Sequence, residues 1–84
     1  MMSKPDARTI EDRLVRRISE LRGIPEGDID VEAPVSNSGI DSASALVLVG
    51  ELEDWLGCEL DATLFFDHPT LRTASVHIAK TLPS

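Results

Sequence analysis

The sequence contains few or none of several features, and each shortage excludes a class of protein. Its 84 residues include one cysteine, Cys58, so no internal disulfide can form and a reducing compartment fits best. The longest uncharged apolar run, Ala43 to Gly50, is far shorter than a membrane span. The N-terminal segment lacks the apolar stretch of a secretory signal. We therefore expect a cytoplasmic protein without a membrane partner.

Basic residues are missing from the middle of the chain. Between Gly23 and Leu71 there is no Lys or Arg but there are eleven carboxylates, and the net charge of the whole chain is -7. Nucleic-acid binding depends on neutralising phosphates with Lys and Arg, so we expect no nucleic-acid partner. The acidic stretch either keeps a small domain soluble or steers basic partners toward itself, and composition leaves both roles open.

The length allows one small domain around a single core. We expect one domain over residues 1–84, with flexible ends at residues 1–6 and 83–84, and a monomer. Because so short a chain has little room for a buried catalytic cleft, a binding or carrying module is favoured over an enzyme.

Apolar spacing predicts an all-α fold: a small four-helix bundle of three main helices and one short helix. The first helix runs from about Asp6 or Thr9 to Arg22, and the second from Ser42 to about Leu56. A short turn over 62–66 and a final helix over about 70–82 complete the bundle, and no segment alternates with the period of a strand. The stripe of the first helix is Ile10, Leu14, Ile18 and Leu21, and Phe65 and Phe66 are expected to plug the bundle.

The long segment between the first two helices contains Pro25 and Pro34 and shows no lasting periodicity, so we expect a long loop. Apolar residues along it should pin it to the core. These pins are Ile24, Ile29, Val31, Val35 and Ile40.

The second helix has two apolar stripes on opposite sides. One stripe fits the core and consists of Ala45, Leu48, Val49, Leu52 and Leu56. A helix in so small a bundle cannot be buried all round, so we expect the other stripe to be an exposed contact site unless the long loop covers it. That second stripe consists of Ala43, Leu46, Val47 and Gly50, continued by Glu53 and Asp54.

Ser42 stands at the head of the second stripe, directly after Asp41, a good helix N-cap. A serine there is most simply a helix-start residue, although the positive end of a helix also suits a phosphate group. A nucleophilic role is disfavoured, because Ile40 and Ser44 occupy the positions where a nucleophile elbow requires glycine. The two histidines and the cysteine lack metal-ligand spacing, so no metal site is predicted.

Two segments together resemble the acyl carrier proteins of polyketide synthases. The first is "GIDSASALVLVGELEDWLG" and the second is "LDATLFFDHPTLRTAS". The family pattern is a Gly-x-Asp-Ser motif at the start of the second helix, then an Ala-Thr-x-x-Phe-Asp-His-Pro-Thr segment. Gly39, Asp41 and Ser42 match the first part, and 62–63 with 66–70 match the second. The likeness covers about 10–78.

The resemblance implies a carrier that catalyses nothing and holds acyl groups as thioesters on a covalent 4'-phosphopantetheine at Ser42. It implies a phosphopantetheinyl transferase, an acyl-loading enzyme and a ketosynthase or other acyl-processing enzymes as partners. It also implies a partner-binding face formed by Asp41, Ala43, Leu46, Val47, Gly50, Glu53 and Asp54.

Two departures from the family pattern bear on partner recognition. Ala43 replaces the usual Leu or Met, and Val47 replaces a residue that is often acidic, so recognition should depend less on charge near the serine. The chain resembles a free-standing carrier, with an excised synthase domain as the alternative. A peptidyl carrier, an unmodified helical adaptor using the exposed stripe, and a small hydrolase using Ser42 are the competing functions.

Overall fold

The computed structural model describes residues 4–82, which form four α-helices. Within that range the one strand-like feature is an isolated bridge between Pro34 and Thr70, so the predicted all-α bundle is confirmed. No helix in the described range is long and apolar enough to cross a membrane. The helices are α1 (Ala7–Arg22), α2 (Ser42–Leu56), α3 (Leu64–Asp67) and α4 (Leu71–Thr81).

Helix α1 begins where the Asp6 carboxylate accepts the Thr9 N–H, and it ends at Gly23 in the left-handed region. Residues 1–3 and 83–84 of the predicted flexible ends lie outside the described residues. Of the described residues 4–6, Asp6 is the N-cap of α1. Three of the four stripe residues are buried as predicted. The exception is Leu21, which is 39% exposed. The buried three are Ile10, Leu14 and Ile18.

The predicted long loop lies between α1 and α2 and is pinned by side chains and by backbone. Ile29, Val35 and Ile40 are buried, while Ile24 and Val31 are half-buried against the core. The loop contains two 3-10 turns, Glu26–Asp28 and Val35–Ser38.

Residues around the start of α4 hold this loop in place. The Arg72 N–H donates to the Val31 carbonyl at 3.0 Å, and the Val35 N–H donates to the Pro69 carbonyl at 2.8 Å. The Arg72 guanidinium bridges Glu32 of the loop at 3.0 Å and the largely buried Glu11 of α1 at 3.3 Å. The loop therefore follows a fixed path to the start of α2.

Helices α1 and α2 run antiparallel, which two long side chains of α1 show. Arg17 forms a two-pronged ion pair with Glu51, with N–O distances of 2.6 and 2.9 Å. One turn nearer the start of α1, the Arg13 guanidinium lies 4.4 Å from the ring centre of Trp55, one turn further along α2. The end of α1 therefore lies at the same end of the bundle as the beginning of α2.

The last two helices confirm most of the prediction and correct one part of it. The short helix begins at Leu64, two residues later than expected, and buries Phe65. Phe66 is 77% exposed, so the prediction that both phenylalanines plug the bundle is wrong for this one. Two adjacent residues of a single helical turn point in different directions, so burying one turns the other to solvent. The predicted inward residues Leu71, Ala74 and Ile78 of α4 are buried, and so is Leu82, the residue that follows the helix.

Candidate functional site

Ser42 is the first residue of α2, and its side chain lies at the surface. Asp41 supplies the helix cap: its carboxylate accepts the Ser44 N–H at 2.8 Å, and its backbone carbonyl accepts the Ala45 N–H at 2.9 Å. Because the Asp41 carboxylate makes this bond, the Ser42 hydroxyl is not needed for capping. It has no hydrogen-bond partner within residues 4–82, and the residue is exposed to solvent.

The Asp41 carboxylate stays negatively charged beside that hydroxyl. The hydrogen bond from the Ser44 backbone N–H holds the pKa of the Asp41 carboxyl below its ordinary value, and the positive charge of Arg22 acts in the same direction. The serine therefore lies at the positive end of a 15-residue helix and follows directly after an anionic residue.

Gly39 lies against the side chain of Arg22 near this site. The φ of Gly39 is 79°, in the left-handed region that favours glycine. A Cβ at this position would lie 2.7 to 3.0 Å from the guanidinium of Arg22, so the missing side chain makes room for the arginine. No sequence pattern predicts this contact, because it depends on the return path of the long loop, which no local signal encodes.

The exposed stripe predicted on α2 is present. Leu46 is 53% exposed, Val47 is 49% exposed, and Ala43 is also at the surface, whereas Gly50 is half-buried. The long loop therefore does not cover this side of the helix. On the opposite side, the core stripe has Leu48, Val49 and Leu52 buried and Ala45 and Leu56 half-buried.

The two acidic residues that continue the stripe differ in their surroundings. Asp54 is exposed. Glu53 is half-buried, and its carboxylate accepts the Leu60 N–H at 2.7 Å, so it is already occupied in holding the segment after α2. Of these two acids, Asp54 is thus the freer to contact another protein.

The residues needed for the hydrolase alternative are not brought together. His68 and His77 stack on each other with ring centres 4.1 Å apart. Together with Glu59 and Asp67 they line a pocket whose walls do not include Ser42. Within the part of the chain that the structure describes, no cluster of three or more His, Cys, Asp or Glu side chains could hold a metal ion.

Comparison with known families and structures agrees with this geometry. The family model described as "Phosphopantetheine attachment site" matches residues 12–78. One subunit of the phenolphthiocerol/phthiocerol polyketide synthase of Mycobacterium tuberculosis is 34% identical over 82 residues, which are 95% of this chain and 4% of that protein. Polyketide synthase PksL of Bacillus subtilis is 39% identical over 67% of this chain and 1% of its own length. The chain thus spans a small part of these relatives.

Two solved structures share the fold over nearly their whole length. An acyl carrier protein from Anabaena sp. PCC 7120 with a variant phosphopantetheinylation-site sequence has a TM-score of 0.86 and 28% identity, covering 99% of this chain and 98% of that one. A free-standing peptidyl carrier protein from Acinetobacter baumannii has a TM-score of 0.85 and 26% identity, covering 93% of this chain and 98% of that one. The chain belongs to the phosphopantetheine attachment site family, a family of carrier domains that bear a covalently attached 4'-phosphopantetheine.

Proposed function

We propose that this chain is a single acyl carrier domain of a polyketide or related natural-product pathway and that Ser42 bears its 4'-phosphopantetheine. The observation that carries the proposal is a serine hydroxyl at the surface, on the first residue of α2, inside the span that matches the family. Ser44 lies within the same helical turn, but its side chain is half-buried and its N–H is bonded to the Asp41 cap.

The residues around Ser42 fit a phosphate ester. The first N–H groups of an α-helix have no acceptor within the helix, and the Asp41 carboxylate takes up one of them, that of Ser44. The remaining N–H groups and the positive end of α2 are therefore available to a negatively charged group on the serine.

The role that we propose for the chain is tethering rather than catalysis. When bound, phosphopantetheine supplies the thiol to which an acyl group is attached. The Ser42 hydroxyl fixes the base of that arm to a rigid helix, so every docked enzyme meets the attached group at a high effective concentration.

The proposed partner-binding surface is the apolar stripe below Ser42. Leu46 and Val47 are large apolar side chains about half exposed to water, and Gly50 below them leaves the helix surface flat. Exposed apolar patches of this kind mark protein contacts. We propose that a phosphopantetheinyl transferase, an acyl-loading enzyme and a ketosynthase or other acyl-processing enzyme dock there as the chain's partners. The acidic rim is Asp41 and Asp54, which are exposed, with Glu53 contributing less because it is half-buried and bonds the Leu60 N–H.

Intact mass spectrometry tests the attachment site. The protein is incubated with coenzyme A and a broad-specificity phosphopantetheinyl transferase, and the wild type is expected to gain the mass of one phosphopantetheine. Ser42→Ala should gain nothing. Ser44→Ala, which removes a hydroxyl from the same helical turn, should still be modified. A wild type that stays unmodified while a known carrier is modified in parallel would refute the carrier function and favour the unmodified adaptor.

A peptidyl carrier is the second candidate, favoured by the similarity to the free-standing peptidyl carrier protein from Acinetobacter baumannii. Mass measurement of the group carried by the protein purified from its native host separates the two. An acyl group supports the main proposal, and an aminoacyl group supports the second.

The single free cysteine, Cys58, favours a cytoplasmic location. We also expect a monomer by gel filtration.

A further inference from the structure

Arg22, the last residue of α1, lies at the same end of the bundle as Ser42. The ion pair of Arg17 with Glu51 shows this arrangement, because in antiparallel helices the C-terminal end of α1 lies at the same end of the bundle as the start of α2. The long loop then returns the chain so that Gly39 lies directly against the Arg22 side chain.

The Arg22 guanidinium lies against Gly39. An ideal Cβ on Gly39 would be 2.7 Å from Arg22 Nε, 2.9 Å from Nη2 and 3.0 Å from Cζ. The guanidinium therefore lies over the glycine backbone, three residues before Ser42. Within residues 4–82 it forms no ion pair, unlike Arg8, Arg17 and Arg72. Its hydrogen-bond donors are free to bind an anion.

The charges around Ser42 make this cation important. A phosphodiester on Ser42 would add a negative charge next to the Asp41 carboxylate, in a part of the chain with no Lys or Arg from Gly23 to Leu71. Arg22 is already close enough to Asp41 to favour its charged form. Since two neighbouring anions repel each other, a guanidinium beside them offsets the repulsion. Arginine suits this role because its planar fork of N–H groups matches phosphate oxygens.

We propose that Arg22, seated on Gly39, binds the phosphodiester of the phosphopantetheine arm and so restrains the base of the arm against the end of α1. This inference rests on the proposed attachment at Ser42. It assigns a ligand-contacting role to a residue outside the two segments that carry the family resemblance.

NMR spectroscopy of the apo and holo protein tests the proposal directly. The Nε–Hε resonance of Arg22 is expected to move when the arm is attached, whereas that of Arg16 should stay in place. Arg16 is the matched control, since it is another exposed arginine of α1 without an ion pair in the described residues. In the holo protein, the phosphorus-31 resonance should move in Arg22→Gln, move less in Arg22→Lys and stay unchanged in Arg16→Gln.

A second variant displaces the guanidinium without removing its charge. Gly39→Ala places a Cβ 2.7 to 3.0 Å from the Arg22 guanidinium and pushes it aside, so its phosphorus-31 resonance should move in the same direction as that of Arg22→Gln but by a smaller amount. Because φ at this position is positive, circular dichroism must first show that the variant is folded. The Arg22 variants carry the test if it is not.

The outcomes separate this inference from the proposed function. A mass gain at Ser42 with an Arg22 resonance that is the same in apo and holo protein overturns the inference alone. So does a phosphorus-31 resonance that is the same in wild type and Arg22→Gln, or one that responds equally to Arg16→Gln. No mass gain on the wild type refutes both the carrier function and the role of Arg22.

Discussion

Arg17 of α1 and Glu51 of α2 form the ion pair that joins the helix bearing Ser42 to the first helix. Two guanidinium nitrogens donate to the two carboxylate oxygens at 2.6 and 2.9 Å, the two-pronged geometry that makes such pairs strong. The side chains are 38% and 39% exposed, so solvent screens much of the attraction. An exposed pair contributes about 0.2 to 1 kcal/mol, and the good geometry places this one near the upper end of that range.

A double-mutant cycle measures this contribution. Arg17→Gln, Glu51→Gln and the double variant are unfolded with urea, and circular dichroism follows the helix content. We expect a coupling free energy of about 0.5 to 1 kcal/mol at neutral pH. The same cycle on Arg8 and Asp12 is the control. That pair is single-pronged at 3.2 Å with side chains 81% and 65% exposed, so its coupling should be under about 0.5 kcal/mol.

The coupling between Arg17 and Glu51 should also depend on pH. The hydrogen bond from Arg17 lowers the pKa of the Glu51 carboxyl in the folded state from its ordinary value of 4.5. A carboxyl whose pKa is lowered by folding stabilises the protein fully above its unfolded pKa, and the contribution is lost as pH falls through the folded pKa. The coupling should therefore be constant at neutral pH and disappear at a pH well below 4.5. A coupling near zero at neutral pH, or one that persists in acid, would refute this account of how α1 holds α2.

Three further predictions concern single side chains. Ser75 is fully buried, and its hydroxyl has no hydrogen-bond partner among the described residues. Ser75→Ala should therefore leave the urea midpoint unchanged or raise the free energy of unfolding by up to about 1 kcal/mol. A clear loss of stability would contradict this and would show that the hydroxyl has a hydrogen-bond partner. Phe65→Ala should cost about 3 to 5 kcal/mol of stability and Phe66→Ala under about 0.5 kcal/mol, and equal losses would contradict their different exposure. Val47→Glu should weaken binding to a partner enzyme, measured by calorimetry, while leaving the helix content unchanged. Val76→Glu, a change at another exposed valine, should leave that binding unchanged. Equal effects of the two variants on binding would argue against docking on α2.

The helix bounds could be predicted because their signals are local. A cap is a hydrogen bond between residues three positions apart, as in the bonds of Asp6 to Thr9 and of Asp41 to Ser44. Gly23 and Gly57 end α1 and α2 in the left-handed conformation that glycine favours. The sequence predicts the start of the short helix α3 two residues too early, because a single turn offers too little periodicity to fix its register.

The faces of α2 were also predictable, because helical spacing alone assigns residues to opposite sides. The pattern could not decide whether the second face was covered. The tertiary structure decided that point, since the long loop is held against α4 by Arg72, Val35 and their partners and leaves Leu46 and Val47 in water.

The sequence by itself determined an all-helical bundle, the position of Ser42 at the head of α2 and the two faces of that helix. All three depend on residues within a few positions of one another. Only the tertiary structure decided that Arg22 lies on Gly39, that Arg17 pairs with Glu51 and that Phe66 faces outward. The exposure of Phe66 depends on where the core lies. The two contacts join residues far apart in the chain, so they exist only once the long loop has brought the start of α2 back to the end of α1.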